Sequence, residues 1–360
     1  MREARASLLS VVAALVLGFI AIALTAASVE TAVRAYAGML WGGLGDFPRL
    51  MAGGDFTALS RPWGEASTRA GLLLCTGLSV GVAFTVGLFN IGAQGQLLVG
   101  AIIAAAIGAR ALPSGLYLPL CLLGAAAGGA AYALIPAGLK LWRGVHEVIS
   151  TIMLNWVAAA LIEGWLVVGP LKARSSGGTS ISGTDEIAAA AMLPRLLGDS
   201  SRLHAGFLLA VGLALALAFW RDRTRHGFET RAVGLSADAA RAAGIPVGRR
   251  MAEAMAISGA LAGLGGALLV LGTEHKFPAT LGGSYGFDGI AIALIGQNQP
   301  LGALAAALFF GVLRAGGTRM QLVGVHASFP ELIQGFALLG VAARLGWGKR
   351  RVSPAAGSVR

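Results

Sequence analysis

The sequence predicts an all-α, polytopic membrane protein, a bundle of about 10 transmembrane helices. Three observations carry that expectation. Of 360 residues, 56% are hydrophobic and only 12% charged, against about 25% charged in a soluble domain. Mean hydropathy is +0.74. Glycine fills 54 positions, about twice its usual share of roughly 7%. This composition excludes a disordered chain, a disulfide scaffold and an ordinary soluble enzyme. The net charge of +11 is read as membrane topology rather than nucleic-acid binding, because the apolar content is so high. Cys75 and Cys121 lie in apolar runs without metal-ligand spacing, so they are packed hydrophobes and no metal site is expected.

The spans follow from gaps between charges. Residues 6–29 carry none, enough to cross about 30 Å of hydrocarbon at roughly 1.5 Å per residue. The first span is placed at 8–29 and read as retained rather than as a signal peptide, since its apolar run exceeds a signal's core. Residues 30–69 mix charges and read as a loop. The uncharged run 70–109 is long enough for two crossings. Residues 111–139 give the next span, and 148–169 another that contains Glu163. Residues 170–202 are a second near-balanced loop. Residues 203–220 and 254–273 are clean spans. The run 289–313 is interrupted at Gln297-Asn298-Gln299-Pro300, and 332–343 closes the series. The chain is expected to form one membrane domain with two related halves, 70–169 and 251–345, on either side of segment 221–250.

Orientation follows from the arginines. Segment 221–250 holds seven of them against Asp222, Glu229 and Asp238, and the tail 346–360 carries Lys349, Arg350, Arg351 and Arg360 with no acid. Both belong in the cytoplasm, and an even number of spans puts the N-terminus there too.

Two apolar runs contain carboxamides among glycines: Asn90, Gln94 and Gln96 in the first, Gln297, Asn298 and Gln299 in the second. Unpaired carboxamides are costly in hydrocarbon, so these face protein or a water-filled path. Interrupted apolar segments at matching places in two halves point to a transporter's substrate path. Gly124-x-x-x-Gly128 and Gly259-x-x-x-Gly263 allow close helix approach. In the basic segment, Ser236 is placed to cap a helix with Asp238 in its first turn, running to Gly244 with Pro246 beyond. Its seven residues, about 10 Å, cannot span a membrane, and an isolated helix so short needs something to pack on it. A docking element for a cytoplasmic partner is the expected role.

No phosphate-binding Gly-x-x-x-x-Gly-Lys-Ser/Thr loop occurs, no zinc-protease histidine pair and no nucleophile elbow. Acidic groups at membrane depth are few. Asp288 is expected near a span start as a structural cap, tolerant of asparagine but not leucine.

Four ordered blocks then resemble one family. Residues 89–96, Phe-Asn-Ile-Gly-Ala-Gln-Gly-Gln, resemble the "FNIGAEGQ" signature of permease subunits from ABC importers of nucleosides and simple sugars, in the ribose/branched-chain amino acid permease superfamily. Residues 147–155 resemble its "EVI(S/T)T(I/L)MLN" helix, and 286–296 its "GFDGIAVALLG" block. Residues 231–235 with Ala239, Ala240 and 243–245 resemble its coupling-helix segment. Gln94 stands where the family commonly has Glu, and Ser236-Ala237 where it has Asn-Pro. The resemblance implies a type II importer-like permease fold and no enzymatic activity in this chain. It implies a substrate pathway at Asn90, Gln94, Gln96, Asn155, Gln297 and Asn298, and ATPase coupling through Gly234, Leu235, Ala239, Ala240, Ala243, Gly244 and Ile245. ATP and Mg would sit on a partner ABC ATPase subunit. A second homologous permease subunit and a periplasmic or lipoprotein substrate-binding protein would complete the assembly in a bacterial plasma membrane. The competing expectation is an ion-coupled secondary transporter of a small polar solute.

Overall fold

The computed structural model describes residues 2–173, 183–281 and 283–350. Residues 351–360, with most of the basic tail, lie outside the described residues. Among the described residues there are helices and isolated bridges but no β-strand. In chain order the α-helices are α1 (Arg2–Thr25), α2 (Val29–Leu44), α3 (Phe47–Met51), α4 (Thr57–Thr85), α5 (Ala93–Gly108), α6 (Tyr117–Arg143) and α7 (Glu147–Leu161). They continue as α8 (Ala205–Arg223), α9 (Arg225–Leu235), α10 (Ala237–Ala242), α11 (Val247–Leu269), α12 (Tyr285–Ile295), α13 (Pro300–Gln321) and α14 (Phe329–Arg350).

Among the described residues six helices are long and apolar enough to cross a membrane: α4, α6, α7 with its π-helical extension, α8, α11 with its own extension, and α13. Four shorter apolar stretches lie in α1, α5, α12 and α14. Burial sorts these helices. In α4 and α11, 78% of the apolar window is buried, against 22% in α6 and α8. The first two are the centre of the bundle; the others turn exposed apolar side chains such as Leu123 and Phe219 outward. Around the centre, α11 packs on α6, α5 and α4, α13 packs on α4 and α2, and α1 packs on α14.

Small residues make the central approach possible. A Cβ on Gly263 would strike the Ala125 carbonyl of α6, and one on Gly259 would strike that of Gly129. The Gly259/Gly263 pair therefore serves the close approach expected of it, with Ala125 and Gly129 as partners. Gly124 and Gly128 instead meet Ile103 and Ile107 of α5.

The loop expected at 30–69 is replaced by helix: α2, α3 and the first turns of α4 occupy it. Charge gaps mark hydrocarbon, not helix ends. In α4 the Glu65–Arg69 pair at i,i+4, 2.6 Å apart, lets the helix continue past its apolar part. The loop expected at 170–202 is also structured where described. Ile187, Ala191 and Leu193 are buried, and the backbone bonds to Gly108, Leu271 and His275 cover the ends of α5 and α11. At this end His204 caps α8, its Nδ1 accepting from the Gly206 N–H at 3.1 Å.

Candidate functional site

The arginine-rich end is built around α9 and α10. Thr224 caps α9, its hydroxyl oxygen accepting from the Gly227 N–H at 3.1 Å. One carboxylate fastens α9 to α11: Glu229 takes Arg225 Nε at 2.7 Å and Arg250 Nε at 2.7 Å. The Arg225 hydrogen bond holds the Glu229 carboxyl below the usual carboxylate range, and Arg250 adds to that. Arg250 also donates to His226 Nδ1 at 2.7 Å and pairs with Glu253.

The short helix has the geometry the sequence predicts. Ser236 Oγ accepts from the Ala239 N–H at 3.2 Å, and Asp238 pairs with Arg241 at 2.8 Å. Gly244, at φ +78°, ends it. Its facing corrects part of the expected docking surface. Ala240 is buried against the chain's own core and Ile245 packs there too. Gly234, Leu235, Ala239, Ala243 and Gly244 are exposed, and Leu235 is 89% exposed. A leucine this exposed leaves its apolar surface unburied within the subunit, surface that a docked partner would bury favourably. Gly234 faces inward as well: a Cβ there would strike the Thr85 carbonyl at the end of α4. The basic segment thus rests directly on the first break.

That break, residues 86–92, is held by a closed polar network. Asn90 Nδ2 donates to Gln96 Oε1 at 3.0 Å and to Ser258 Oγ at 2.8 Å. Its Oδ1 accepts from the Gly92 N–H at 2.9 Å and from Gln96 Nε2 at 3.2 Å. Ser258 donates onward to the Ser79 carbonyl at 2.7 Å, and Ser79 Oγ lies 3.0 Å from Ser258 Oγ. From α7, Asn155 Oδ1 accepts from the Gly95 N–H at 2.8 Å while Nδ2 donates to the Ile91 carbonyl at 2.9 Å. Glu147 accepts the Phe89 N–H at 3.4 Å and Lys140 Nζ at 2.5 Å. Asn90 and Gln96 are buried with their amides spent on one another, so in this conformation they brace the break instead of facing a water path. Ser79 and Ser258 are members that sequence reading missed. The available signal was Ser258, the one hydroxyl residue in α11; Ser79 stands among several in α4 and had none.

Gln94 joins the first break to the start of α12. Its Oε1 accepts the Gly286 N–H in the first turn of α12 at 2.7 Å, and its Nε2 donates to the Gly283 carbonyl at 3.4 Å. A carboxylate would match the first bond but has no hydrogen for the second. The carboxamide does both.

The second break follows α12. Gln297 and Asn298 both adopt left-handed backbone, at φ +57° and +54°, before Pro300 starts α13. Such residues cost about 1–3 kcal/mol each and persist where surroundings over-determine them. Asn298 Oδ1 is buried without a hydrogen-bond partner and lines a crevice with Thr85, Trp220 and Arg221. Of the expected pathway residues, this is the one with a free acceptor at a crevice.

Asp288 is not a cap. Its carboxylate accepts from Arg314 Nη2 at 2.7 Å and Gln334 Nε2 at 2.8 Å, tying α12 to α13 and α14. The α12 N-terminus is served by Gln94 instead. Among the described residues no cluster of three or more His, Cys, Asp or Glu side chains is placed to hold a metal ion.

Two interrupted helices joined by a carboxamide, beside a capped basic helix with an exposed leucine, are the features of a transport subunit. Comparison with known proteins agrees. The family described as "Branched-chain amino acid transport system / permease component" matches residues 64–342. The chain belongs to this permease family. The permease is 38% identical to the guanosine ABC transporter permease protein NupP of Bacillus subtilis, over 78% of this chain and 80% of that protein. It is 37% identical to the glucose ABC transporter permease protein TsgB13 of Haloferax volcanii, over 76% and 74%. Against the nucleoside ABC transporter permease protein NupB of Lactococcus lactis it is 35% identical, over 76% of each. No solved structure matches the permease. It is a multi-pass membrane subunit of an ATP-driven ABC importer, and its relatives are transport subunits, not enzymes.

Proposed function

We propose that this permease carries nucleosides inward across a bacterial plasma membrane, driven by ATP that a separate subunit hydrolyses. The observation that carries the driving mechanism is Leu235, exposed at the corner between α9 and α10. The arginine-rich end faces the cytoplasm, as the excess of Lys and Arg requires. The six long helices and four shorter ones are then read as ten crossings, eight of them in two halves, α4 to α7 and α11 to α14, with α1 and α8 outside the halves and both termini cytoplasmic. The ABC ATPase, which holds ATP and Mg, docks on Leu235, Ala239, Ala243 and Gly244. Its closure pushes α9 against Thr85 through Gly234, and the braced break passes the movement through Gln94 to α12. Asn90, Gln94, Gln96 and Asn155 brace the break beside the path; Gln297 and Asn298 form its inner mouth. A second homologous permease subunit and a periplasmic or lipoprotein binding protein complete the importer. The fully paired Asp288 favours this reading over an ion-coupled carrier, since its carboxylate is committed to Arg314 and Gln334.

Leu235→Asp is expected to lower substrate-stimulated ATP hydrolysis by about tenfold or more, the loss of one buried leucine at an interface. The variant still inserts, because Leu235 makes no core contact of its own. Stimulation at the wild-type level in the assembled importer would remove the docking assignment. Ala240→Asp differs: it buries a charge inside the permease and lowers the yield of folded protein.

Nucleoside is favoured over sugar because guanosine and nucleoside permeases stand among the relatives. The glucose permease is equally similar and supports the second reading. Uptake of labelled guanosine by cells expressing the complete importer separates them. Competition by unlabelled nucleosides and none by glucose is the expected outcome; glucose uptake without guanosine uptake would reverse the assignment.

A further inference from the structure

Between α1, α2, α4 and α13 the bundle encloses a cavity of about 400 Å³. It lies beside α2, a helix of 16 residues that ends at Leu44. That helix is seated on α13 through Gly42 and Gly43, which lie against Gly316 and Val312. Tyr36 ties it to α1 through the Leu15 carbonyl at 2.5 Å. At Gly45, φ +136°, the chain turns away. The space left beside α2 is floored by buried Met39, Ala66 and Leu313 and rimmed by exposed Leu40, Leu44 and Trp63.

The wall chemistry selects the occupant. Among the described residues Ser67 supplies the only side-chain hydroxyl on the wall, and no charged side chain lines it. Buried water needs two to four polar partners, so water does not fill this space. An apolar cavity of about 150 Å³ already binds benzene, and this one is larger. Its walls come in part from α4 and α13, two helices long and apolar enough to cross a membrane, so on the membrane placement proposed above the exposed rim of Leu40, Leu44 and Trp63 meets hydrocarbon.

We propose that this cavity is a binding site for one acyl chain of a membrane phospholipid, packed between α2 and α13 with Trp63 at its rim. The site rests on the membrane placement of the permease and not on which solute it carries. Its failure and that of the transport reading are therefore separate results.

The test uses the full-length permease in vesicles of phosphatidylethanolamine and phosphatidylglycerol, doped with a phosphatidylethanolamine carrying a diazirine midway along one acyl chain. After irradiation, label is mapped by peptide mass spectrometry. The expected result is label concentrated on Leu40, Leu44 and Leu308, well above that on Leu123, an exposed leucine of α6 that serves as the bulk-lipid reference. Leu308→Trp, which places an indole inside the cavity, lowers the label on Leu40 and Leu44 by about tenfold, as when a ring displaces roughly two buried methylenes. Label on Leu123 stays unchanged and reports that the variant is folded. Leu40→Phe at the rim gives the same fall if the tryptophan variant does not fold. Cavity label no higher than on Leu123, or unchanged in the filled variants, overturns the proposal. So does a cross-link from these positions to a second copy of the chain.

Discussion

Asp288→Asn is expected to destabilise the folded permease by about 3–5 kcal/mol, the cost of leaving one partner of a buried ion pair unneutralised. Asp288 and Arg314 side chains are only 9% and 14% exposed and lie 2.7 Å apart. Asparagine keeps an oxygen for Gln334 but removes the charge that balances the guanidinium. The cost falls on three helices, because α12, α13 and α14 meet at this carboxylate. Thermal unfolding of purified protein in detergent should show a large downward shift for Asp288→Asn, and the double variant Asp288→Asn/Arg314→Met should recover most of it. An asparagine variant as stable as wild type would return Asp288 to the capping role that the sequence alone assigns.

Asn90→Leu is expected to cost a comparable amount. The substitution orphans the Gly92 N–H and both polar ends of Gln96. Each buried group left without a partner costs about 1–3 kcal/mol. The loss should appear as a lower unfolding temperature and as faster amide exchange across residues 86–92. If Asn90 faced a water-filled path, leucine there would slow transport and leave stability alone. That outcome would contradict the bracing role.

These two sites show what was legible in the sequence and what was not. Carboxamides in an uncharged run announce themselves, since each must be satisfied in an apolar setting; Asn90 and Gln96 were found that way, and Asn155 through the family resemblance of residues 147–155. Their partners Ser79 and Ser258 were not, because serine is common in membrane helices and lies 179 positions from its mate. Charge gaps located the apolar parts of the helices but not their ends. The Glu65–Arg69 pair carries α4 outward past its apolar part. The pairing of Asp288 with Arg314 depends on the crossing of α12 and α13, which no local pattern specifies. The cap and stop of α10 were readable from Ser236 and Gly244, yet which way Ala240 points depends on how α10 lies against α11. Gln94 drew notice as a departure from the family's glutamate, and its reason appeared only with the Gly283 carbonyl beside it.

The central claim is that ATP hydrolysed elsewhere moves the two breaks through the α9–α10 corner. The most direct measurement is solute uptake into proteoliposomes that hold the permease with its ATPase, the second permease subunit and the binding protein. Uptake should require ATP on the side of the arginine-rich end and cease when Leu235 is replaced by Asp, with ion gradients collapsed throughout. Uptake that persists without ATP and follows an imposed proton or sodium gradient would contradict the account.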